Sequence, residues 1–422
     1  MVRLRRAVAR PSKTIPLASR KYQISVVTDQ KTNSGRSNEP PRVGIISIHP
    51  APYRDATLTT LHRRNIVNIK VLTLFDLDRG HSFWDLDGIT YPNITLTKHW
   101  GTPYSRCFHP QIISQLRRER FDVIVIPGYY YMTCWCTIIY CLFTKTPYIF
   151  MGDRIPDANI STTRRIRRAL GATVVRYILR SASAYWVPGK ASRQHLRDEG
   201  IDDSRIFEGC YNIMHANMLD QLELRKRKCT ELRQRLSIAE DGFVFLMVAN
   251  VVPFRRHDLL LESFRRVVAN YPNSYLLLVG EGADQAGIMR LSKGKKIENV
   301  RSVGPVAFAT LPALFAASDA YVHSGNETYS TSVAYAAIVG LPIITTPNVG
   351  ASRDYVIESK TGFLVESEDT RGFADKMLTL AGDRDTARSM GRNARRLASK
   401  LTSEWAAEQL EKAVAVAHGR RN

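Results

Sequence analysis

Short apolar runs alternate along most of this chain with stretches whose apolar residues recur every third or fourth position. The first pattern marks strands buried on both faces, and the second marks helices with one apolar side. Val43–His49, Ile69–Phe75, Val123–Ile126, Tyr148–Met151 and Ala184–Val187 read as strands, with another near Arg205–Phe207. Helices are predicted from Pro50-Ala-Pro-Tyr-Arg54 to Arg64, around Tyr130–Phe143, over Thr162–Ser181 and over Lys190–Glu199. Gly209 to Asp241 interrupts the alternation with a mixed-charge helix, and a second strand–helix series runs from Phe243 to about Val365. Amphipathic helices follow Thr370 and end with Glu404–His418. Such alternation builds parallel sheets covered by helices on both faces. At 422 residues the chain exceeds one ordinary core, so two doubly wound α/β domains are expected. The predicted division has a basic, mostly disordered segment at 1–41, with one strand at Gln23–Thr28, and a first domain at 42–208. A linker at 209–241, a second domain at 242–400 and a C-terminal helix at 401–422 complete it.

The chemistry concentrates in the second series. In Ser324-Gly-Asn-Glu-Thr-Tyr-Ser-Thr-Ser-Val-Ala-Tyr335-Ala-Ala-Ile-Val-Gly-Leu-Pro342, an acid, Glu327, sits in a polar loop just past the apolar run Ala320–His323. Thr328 and Tyr329 share that loop, and a helix then opens on Ser330, Thr331 and Ser332 and ends at Gly340. A helix N-terminus beyond a strand's carboxyl end offers backbone N–H groups and the positive end of its dipole, which suits a phosphate. A carboxylate beside it suits the hydroxyls of an attached sugar. The segment therefore reads as a nucleotide-sugar site.

Six neighbouring pieces follow one another in order: Phe243–Asn250 (FVFLMVAN), Arg255-Arg-His-Asp-Leu-Leu-Leu-Glu-Ser-Phe264, Leu276-Leu-Leu-Val-Gly-Glu-Gly282, Val303-Gly-Pro-Val306, Ala317-Ser-Asp-Ala-Tyr-Val322 and Gly340-Leu-Pro-Ile-Ile-Thr345. This succession resembles the donor domain of the retaining glycosyltransferases of family 4 (glycosyltransferase group 1). It covers the C-terminal half well and the N-terminal half more loosely. The resemblance implies the GT-B fold, two Rossmann-like domains facing each other across a cleft, with the last helix crossing back to the first domain. It further implies that Arg255, with Arg256 beside it, faces the diphosphate of the donor, where a guanidinium fork grips phosphate oxygens. Glu327 matches the first acid of the family's E-x7-E motif, which contacts the transferred sugar; Gly280 and Gly282 flank Glu281 at a strand end, and Gly304 and Val306 frame the base. The leaving phosphate helps to deprotonate the acceptor, so neither a protein nucleophile nor a metal or other cofactor is implied. Asp76-Leu-Asp78 has the letters of a metal motif but reads as a solvated loop in the first domain.

Two positions depart from the family pattern. The second acid of E-x7-E, which holds ribose hydroxyls, is Tyr335, and a phenol cannot bridge two hydroxyls as a carboxylate does. The basic residue expected after the first strand is Asn250, which removes a charge from the phosphate site unless Arg256 supplies it. These departures keep open an alternative, a catalytically silent GT-B-like binding or scaffold protein.

The first domain is expected to supply the acceptor side. His49, Tyr53 and Arg54 lie in the first loop, and Phe150-Met-Gly-Asp-Arg154 puts Asp153 and Arg154 at a strand's carboxyl edge, where open α/β sheets bind ligands. The formal charge of +21 calls for an anionic partner. Residues 1–42 hold ten Lys/Arg against Asp29 and Glu39, and residues 154–197 hold ten against Asp157 alone. The stripe Ile166, Leu170, Val174, Tyr177 and Ile178, flanked by Arg164, Arg165, Arg167, Arg168, Arg176 and Arg180, fits a helix docked on its own sheet with its basic side free for an anionic membrane surface. No helix-turn-helix, RNP-type or zinc pattern supports a specific nucleic-acid partner. Six cysteines without C-x-x-C spacing read as buried reduced thiols, and the N-terminus lacks the apolar core of a secretory signal. The expected location is therefore cytoplasmic, with peripheral attachment to the membrane's inner face, and the acceptor a glycan or a lipid-linked sugar.

Overall fold

The computed structural model describes residues 39–75, 90–101, 107–153, 175–212, 229–282, 285–294 and 297–420. The expected strand at Gln23–Thr28, the pair Asp76 and Asp78, and the first part of the Thr162–Ser181 helix lie outside them.

Two parallel sheets carry the fold. The first contains β1 (Arg42–Ser47), β2 (Asn68–Thr73), β3 (Asn93–Thr95), β4 (Val123–Pro127), β5 (Tyr148–Met151), β6 (Ala184–Val187) and β7 (Ile206–Glu208), in the order β3-β2-β1-β4-β5-β6-β7. The second contains β8 (Phe243–Val248), β9 (Ser274–Val279), β10 (Val300–Gly304), β11 (Ala320–His323), β12 (Ile343–Thr345) and β13 (Gly362–Leu364), in the order β10-β9-β8-β11-β12-β13. Every strand pair is parallel. In each sheet the order reverses beside the first strand, between β1 and β4 and between β8 and β11. Loops leave in opposite directions there and open a crevice at the strands' carboxyl ends.

The central strands are mostly apolar because both faces are covered, and their residues divide by period two. On one face of the first sheet, Ile46, Ile124, Ile126, Tyr148, Phe150, Tyr185 and Val187 meet Ile112 and Leu116 of α2 (Gln111–Glu119) and Cys134, Ile138 and Cys141 of α3 (Met132–Thr144). Ile178 and Leu179 of α4 (175–181) complete that layer. On the other face, Val43, Ile45, Ile69, Val125, Ile149 and Trp186 meet Leu58 and Leu61 of α1 (Pro52–Arg64). The last helix, α8 (Ser403–Gly419), fills the rest of this face with Ala407, Leu410, Ala413, Val414 and Ala417, so the chain's end packs on the sheet of its beginning. Arg64 donates from Nε and Nη2 to the Glu411 carboxylate at 2.7 and 2.9 Å and fixes that return.

Pattern reading missed two elements and misplaced one side chain. β3 is a three-residue edge strand, half-buried at every position, and too short to show a period. The apolar residues of α2 are followed by Arg117, Arg118 and Arg120, which hide its helical stripe. Tyr177, assigned to the buried stripe, is 63% exposed; Ile178 and Leu179 are the buried pair. All six cysteines are free thiols.

Leu410 is fully buried against the first sheet. Leu410→Ala should lower stability by about 2–5 kcal/mol, read by denaturant unfolding. A change under about 1 kcal/mol would show that α8 is not part of that core.

Candidate functional site

At the switch point of the second sheet, the loop after β8 and the loop after β11 meet. Ser324 Oγ donates to the carbonyls of Arg255 and Arg256 at 3.2 and 2.8 Å, and Asn326 N–H donates to the Phe254 carbonyl at 2.9 Å. Gly325 makes the approach possible, since a Cβ there would stand 2.3 Å from Arg255 Cα. The other side of the Glu327 loop is pinned by backbone bonds from Glu327 N–H to Asn348 O (3.1 Å) and from Gly350 N–H to Glu327 O (3.0 Å).

This frame brings Arg255 and Glu327 into direct contact. Arg255 Nη2 donates to Glu327 Oε1 at 2.7 Å, and Nη1 pairs with Oε2. His323, fully buried at the end of β11, places Nε2 3.0 Å from Glu327 Oε2 and 3.2 Å from Arg255 Nη1. The carboxylate selects the Nε2–H tautomer, and Nδ1 has no partner among the described residues. Burial alone would push the Glu327 carboxyl up, but His323 and Arg255 outweigh it and hold it at about 2, so Glu327 is ionised at neutral pH. Arg255 also lies over the Phe254 ring, 5.1 Å from its centroid. Behind the cluster, at the first residue of α6 (His257–Asn270), burial first, then His323 and Arg255, push His257 down to about 4 and keep it neutral.

The helix α7 (Thr331–Val339) opens next to this cluster. Its N-cap, Ser330, has φ 79° and caps no backbone N–H with its side chain; the Ser330 and Ser332 hydroxyls lie 3.0 Å apart. The helix thus directs uncapped N–H groups and its positive end towards the crevice.

The other predicted donor residues divide. Glu281 and Asn250 are exposed at strand ends, and Gly304 has φ +76° with open space beside it. Val306 is half-buried and packs at the margin of the core. Gly280 and Gly282 do not leave room for a ligand: a Cβ at either would stand 2.2 Å from the Ala249 or Val251 carbonyl oxygen, so they admit the neighbouring backbone. Arg256, the candidate for the missing phosphate charge, is turned to acids of its own domain. Its side chain is held by Asp258 at 3.0 and 3.1 Å and by Glu368. Tyr335 is buried, with its ring stacked 5.0 Å from Phe315 and edge-on to Phe308, so this side chain belongs to the core. Tyr329 is also buried, edge-on to Tyr211. Thr331 is half-buried at the helix start.

On the first domain, Asp153 accepts from Tyr211 Oη at 3.3 Å and from Thr328 Oγ1, which joins the two sheets across the cleft. Arg54 is buried instead of facing the cleft. Its Nη2 donates to Ser47 Oγ at 3.2 Å and to His49 O at 3.1 Å, and it shapes the first loop, where His49 Nδ1 lies 3.1 Å from Pro50 O. Arg154 and the side chain of Tyr53 lie outside the described residues. Sequence reasoning missed His323, and it missed an aromatic group at the same sheet edge: Phe75 lies 4.9 Å from His109 and 5.7 Å from His99, beside Tyr131. The available signal was position, since His323 ends β11 and Phe75, His99 and Tyr131 follow β2, β3 and β4 within four residues; His109, just before α2, gave none.

A second contact joins the domains. Asp354, buried in Ser352–Tyr355, accepts from the N–H of Lys190, the first residue of α5 (Lys190–Asp198), at 3.1 Å. Its Oδ2 has no hydrogen-bond partner among the described residues. Burial pushes this carboxyl up to about 7, with Glu208 adding to the shift and the Lys190 N–H opposing it. The unfolded chain releases that proton near the ordinary value. The stability contributed by the protonated form is therefore fully present below about pH 4 and lost as pH rises through 7. Asp354→Asn should flatten this fall, so that wild type loses melting temperature relative to the variant between pH 5 and pH 8. Parallel melting profiles would contradict the assignment.

Residues 229–397 match the family described as glycosyl transferases group 1. Among curated proteins, the chain is 30% identical over 181 residues to N-acetyl-alpha-D-glucosaminyl L-malate synthase of Bacillus anthracis, covering 42% of this chain and 46% of that one. It is 27% identical over 199 residues to the capsular polysaccharide biosynthesis glycosyltransferase CapM of Staphylococcus aureus, covering 46% and 50%. The chain spans about half the length of the curated relatives it matches. Among solved structures, Anabaena Alr3699/HepE in complex with UDP aligns with TM-score 0.67 at 16% identity, over 89% of this chain and 99% of that one. WaaG, a glycosyltransferase involved in lipopolysaccharide biosynthesis, aligns with TM-score 0.63 at 14% identity, over 88% and 97%. The two facing parallel sheets are the GT-B fold.

Proposed function

From a chain that carries a group 1 glycosyltransferase domain at residues 229–397, we propose a retaining, metal-independent glycosyltransferase of family 4. It moves a sugar from a nucleotide diphosphate-sugar to a glycan or lipid-linked acceptor in polysaccharide or glycolipid biosynthesis. The observation that carries this reading is the meeting of Arg255, Glu327 and the α7 N-terminus at the switch point of the second sheet.

Each part has a role in the transfer. Uncapped N–H groups of α7 receive phosphate oxygens, as helix N-termini do. Arg255, already oriented by Glu327 and Phe254, turns one edge of its fork to the leaving diphosphate. Glu327 stays ionised and accepts from sugar hydroxyls, while His323 holds its second oxygen. The leaving phosphate takes the acceptor's proton, so the chain need supply no nucleophile. The acceptor enters from the first domain, past Asp153 and the first loop. Relatives named for capsular polysaccharide and for phosphatidylinositol monomannoside mannosyl transfer support a glycan or lipid acceptor.

We place the chain in the cytoplasm against an anionic membrane face. No described helix is long and apolar enough to cross a membrane. The arginines first assigned to that contact lie mostly outside the described residues, and part of the basic excess is balanced locally. Arg176 pairs with Glu199 at 3.2 Å, and Arg193 pairs with Asp203 and Glu208 at 2.7 and 2.6 Å. These acids begin just beyond the basic stretch of sequence.

One observation favours the silent binding protein: Tyr335, at the position of the motif's second acid, is committed to the core and offers no carboxylate to a ribose. Thermal shift against UDP-, GDP-, ADP- and CMP-sugars, with and without EDTA, separates the possibilities. The transferase reading expects a rise with one diphosphate-sugar that survives EDTA. No shift with any donor would favour the scaffold, and a shift abolished by EDTA would remove metal independence. Glu327→Ala should abolish turnover, by about a hundredfold or more, in a protein that remains folded; near-full activity would remove Glu327 from the site.

A further inference from the structure

One face of α3 is apolar and uncovered. Met132, Cys136, Ile139 and Phe143 fall on one stripe of this helix at spacings of four, three and four. Met132 and Ile139 are each 47% exposed and Phe143 is 85% exposed, with Leu142 beside them at 39%. The opposite side of the helix is spent on the core through Cys134, Ile138 and Cys141. Ordinary helices of a doubly wound domain turn charged residues outward. This one turns out methionine, isoleucine and phenylalanine and contains no charged residue from Met132 to Thr144.

The surroundings of the stripe are cationic. Arg117 on the neighbouring α2 is close enough to lower the Tyr140 phenol through its charge, against the burial that raises it. Lys145 caps the end of α3, and α4, in the same layer, exposes Tyr177 and Arg180. Arg117, Lys145 and Arg180 have no ion pair among the described residues. Glu119 is already engaged by Lys70 and Arg118, and Glu199 by Arg176. The stripe starts at the carboxyl end of β4, beside Tyr130 (74% exposed), on the sheet edge that carries Asp153.

We infer that α3 docks this domain on an anionic lipid surface, with Met132, Ile139, Leu142 and Phe143 entering the boundary between headgroups and acyl chains while Arg117, Lys145 and Arg180 meet the headgroups. The inference deepens the membrane part of the proposed function and rests on it. An apolar strip with a basic rim is the pattern of interfacial helices. A second copy of the chain fits less well, because a two-fold interface would bring the same cationic rim against itself. The helix lies with its cleft end at the acceptor side, so a lipid-borne acceptor would reach the cleft without leaving the surface.

The test is sedimentation of the full chain with phosphatidylcholine vesicles with and without phosphatidylglycerol. It is run on wild type, on Ile139→Ser/Phe143→Ser, and on a variant with Arg164, Arg165, Arg167 and Arg168 replaced by Gln. Wild type should bind the anionic vesicles, and the α3 variant should bind at least about tenfold more weakly with unchanged melting temperature and an unchanged thermal shift with the donor. Full binding by the α3 variant overturns the inference; if the arginine variant has then lost binding, the membrane reading stands on those residues instead. Absence of binding by wild type removes both. A wild-type dimer that the α3 variant converts to monomer, with no vesicle binding, overturns the inference in favour of a self-interface.

Discussion

The backbone of the loop after β11 rests on the backbone of the loop after β8, and the site depends on that contact. It exists because residue 325 has no side chain; a Cβ there would lie 2.3 Å from Arg255 Cα. Three side chains from two loops and a strand end, Arg255, Glu327 and His323, thereby share hydrogen bonds in a partly buried place. Such a cluster is costly to desolvate and is held only where charges and hydrogen bonds answer one another. Glu327 therefore remains ionised despite its burial. The same contact sets the start of α7 beside the pair, so the anion-binding end of a helix and a fixed carboxylate face one crevice.

Two sources of positive charge were expected at the crevice, the start of α7 and the pair Arg255 and Arg256. Arg256 is bound by Asp258 and Glu368, and Arg255 is balanced by Glu327. What remains uncompensated is the N-terminus of α7, whose N-cap Ser330 has a left-handed backbone and caps nothing. A donor diphosphate would then be attracted by backbone dipoles first and by the guanidinium edge second. The two domains are joined at separate points by Asp153 with Thr328 and by Asp354 with the start of α5. An ionisable, partly unsatisfied carboxylate at such a joint is a weak point whose strength varies with pH.

Much of the fold was legible because strands buried on both faces are largely apolar, and β4 to β6, β8, β9, β11 and β12 stand out from polar loops on that basis, whereas β10 carries Arg301 and Ser302. β3 was not legible, being a short edge strand, and neither was α2, whose arginines break its stripe. At the site, Glu327 and the helix start were visible from local spacing, since they lie four residues apart in one loop. The partnership of Glu327 with Arg255 spans 72 positions and needed the fold. The residue type at 335 gave the departure but not its consequence: only packing shows that the ring stacks on Phe315. His323 looked like the last apolar position of a strand and was revealed as a site residue by geometry alone. Arg54 shows the reverse, a cleft candidate by sequence that folds back to hold its own loop.

The central claim is that Arg255 and Glu327 form one half of a nucleotide-sugar site. Calorimetric titration of the nucleoside diphosphate portion of the donor against wild type and Arg255→Ala, each checked for a folded second domain, addresses it most directly. The account predicts at least about tenfold weaker binding by the variant, equivalent to roughly 1.4 kcal/mol. Equal affinity in the two folded proteins would contradict it and place the nucleotide elsewhere in the cleft.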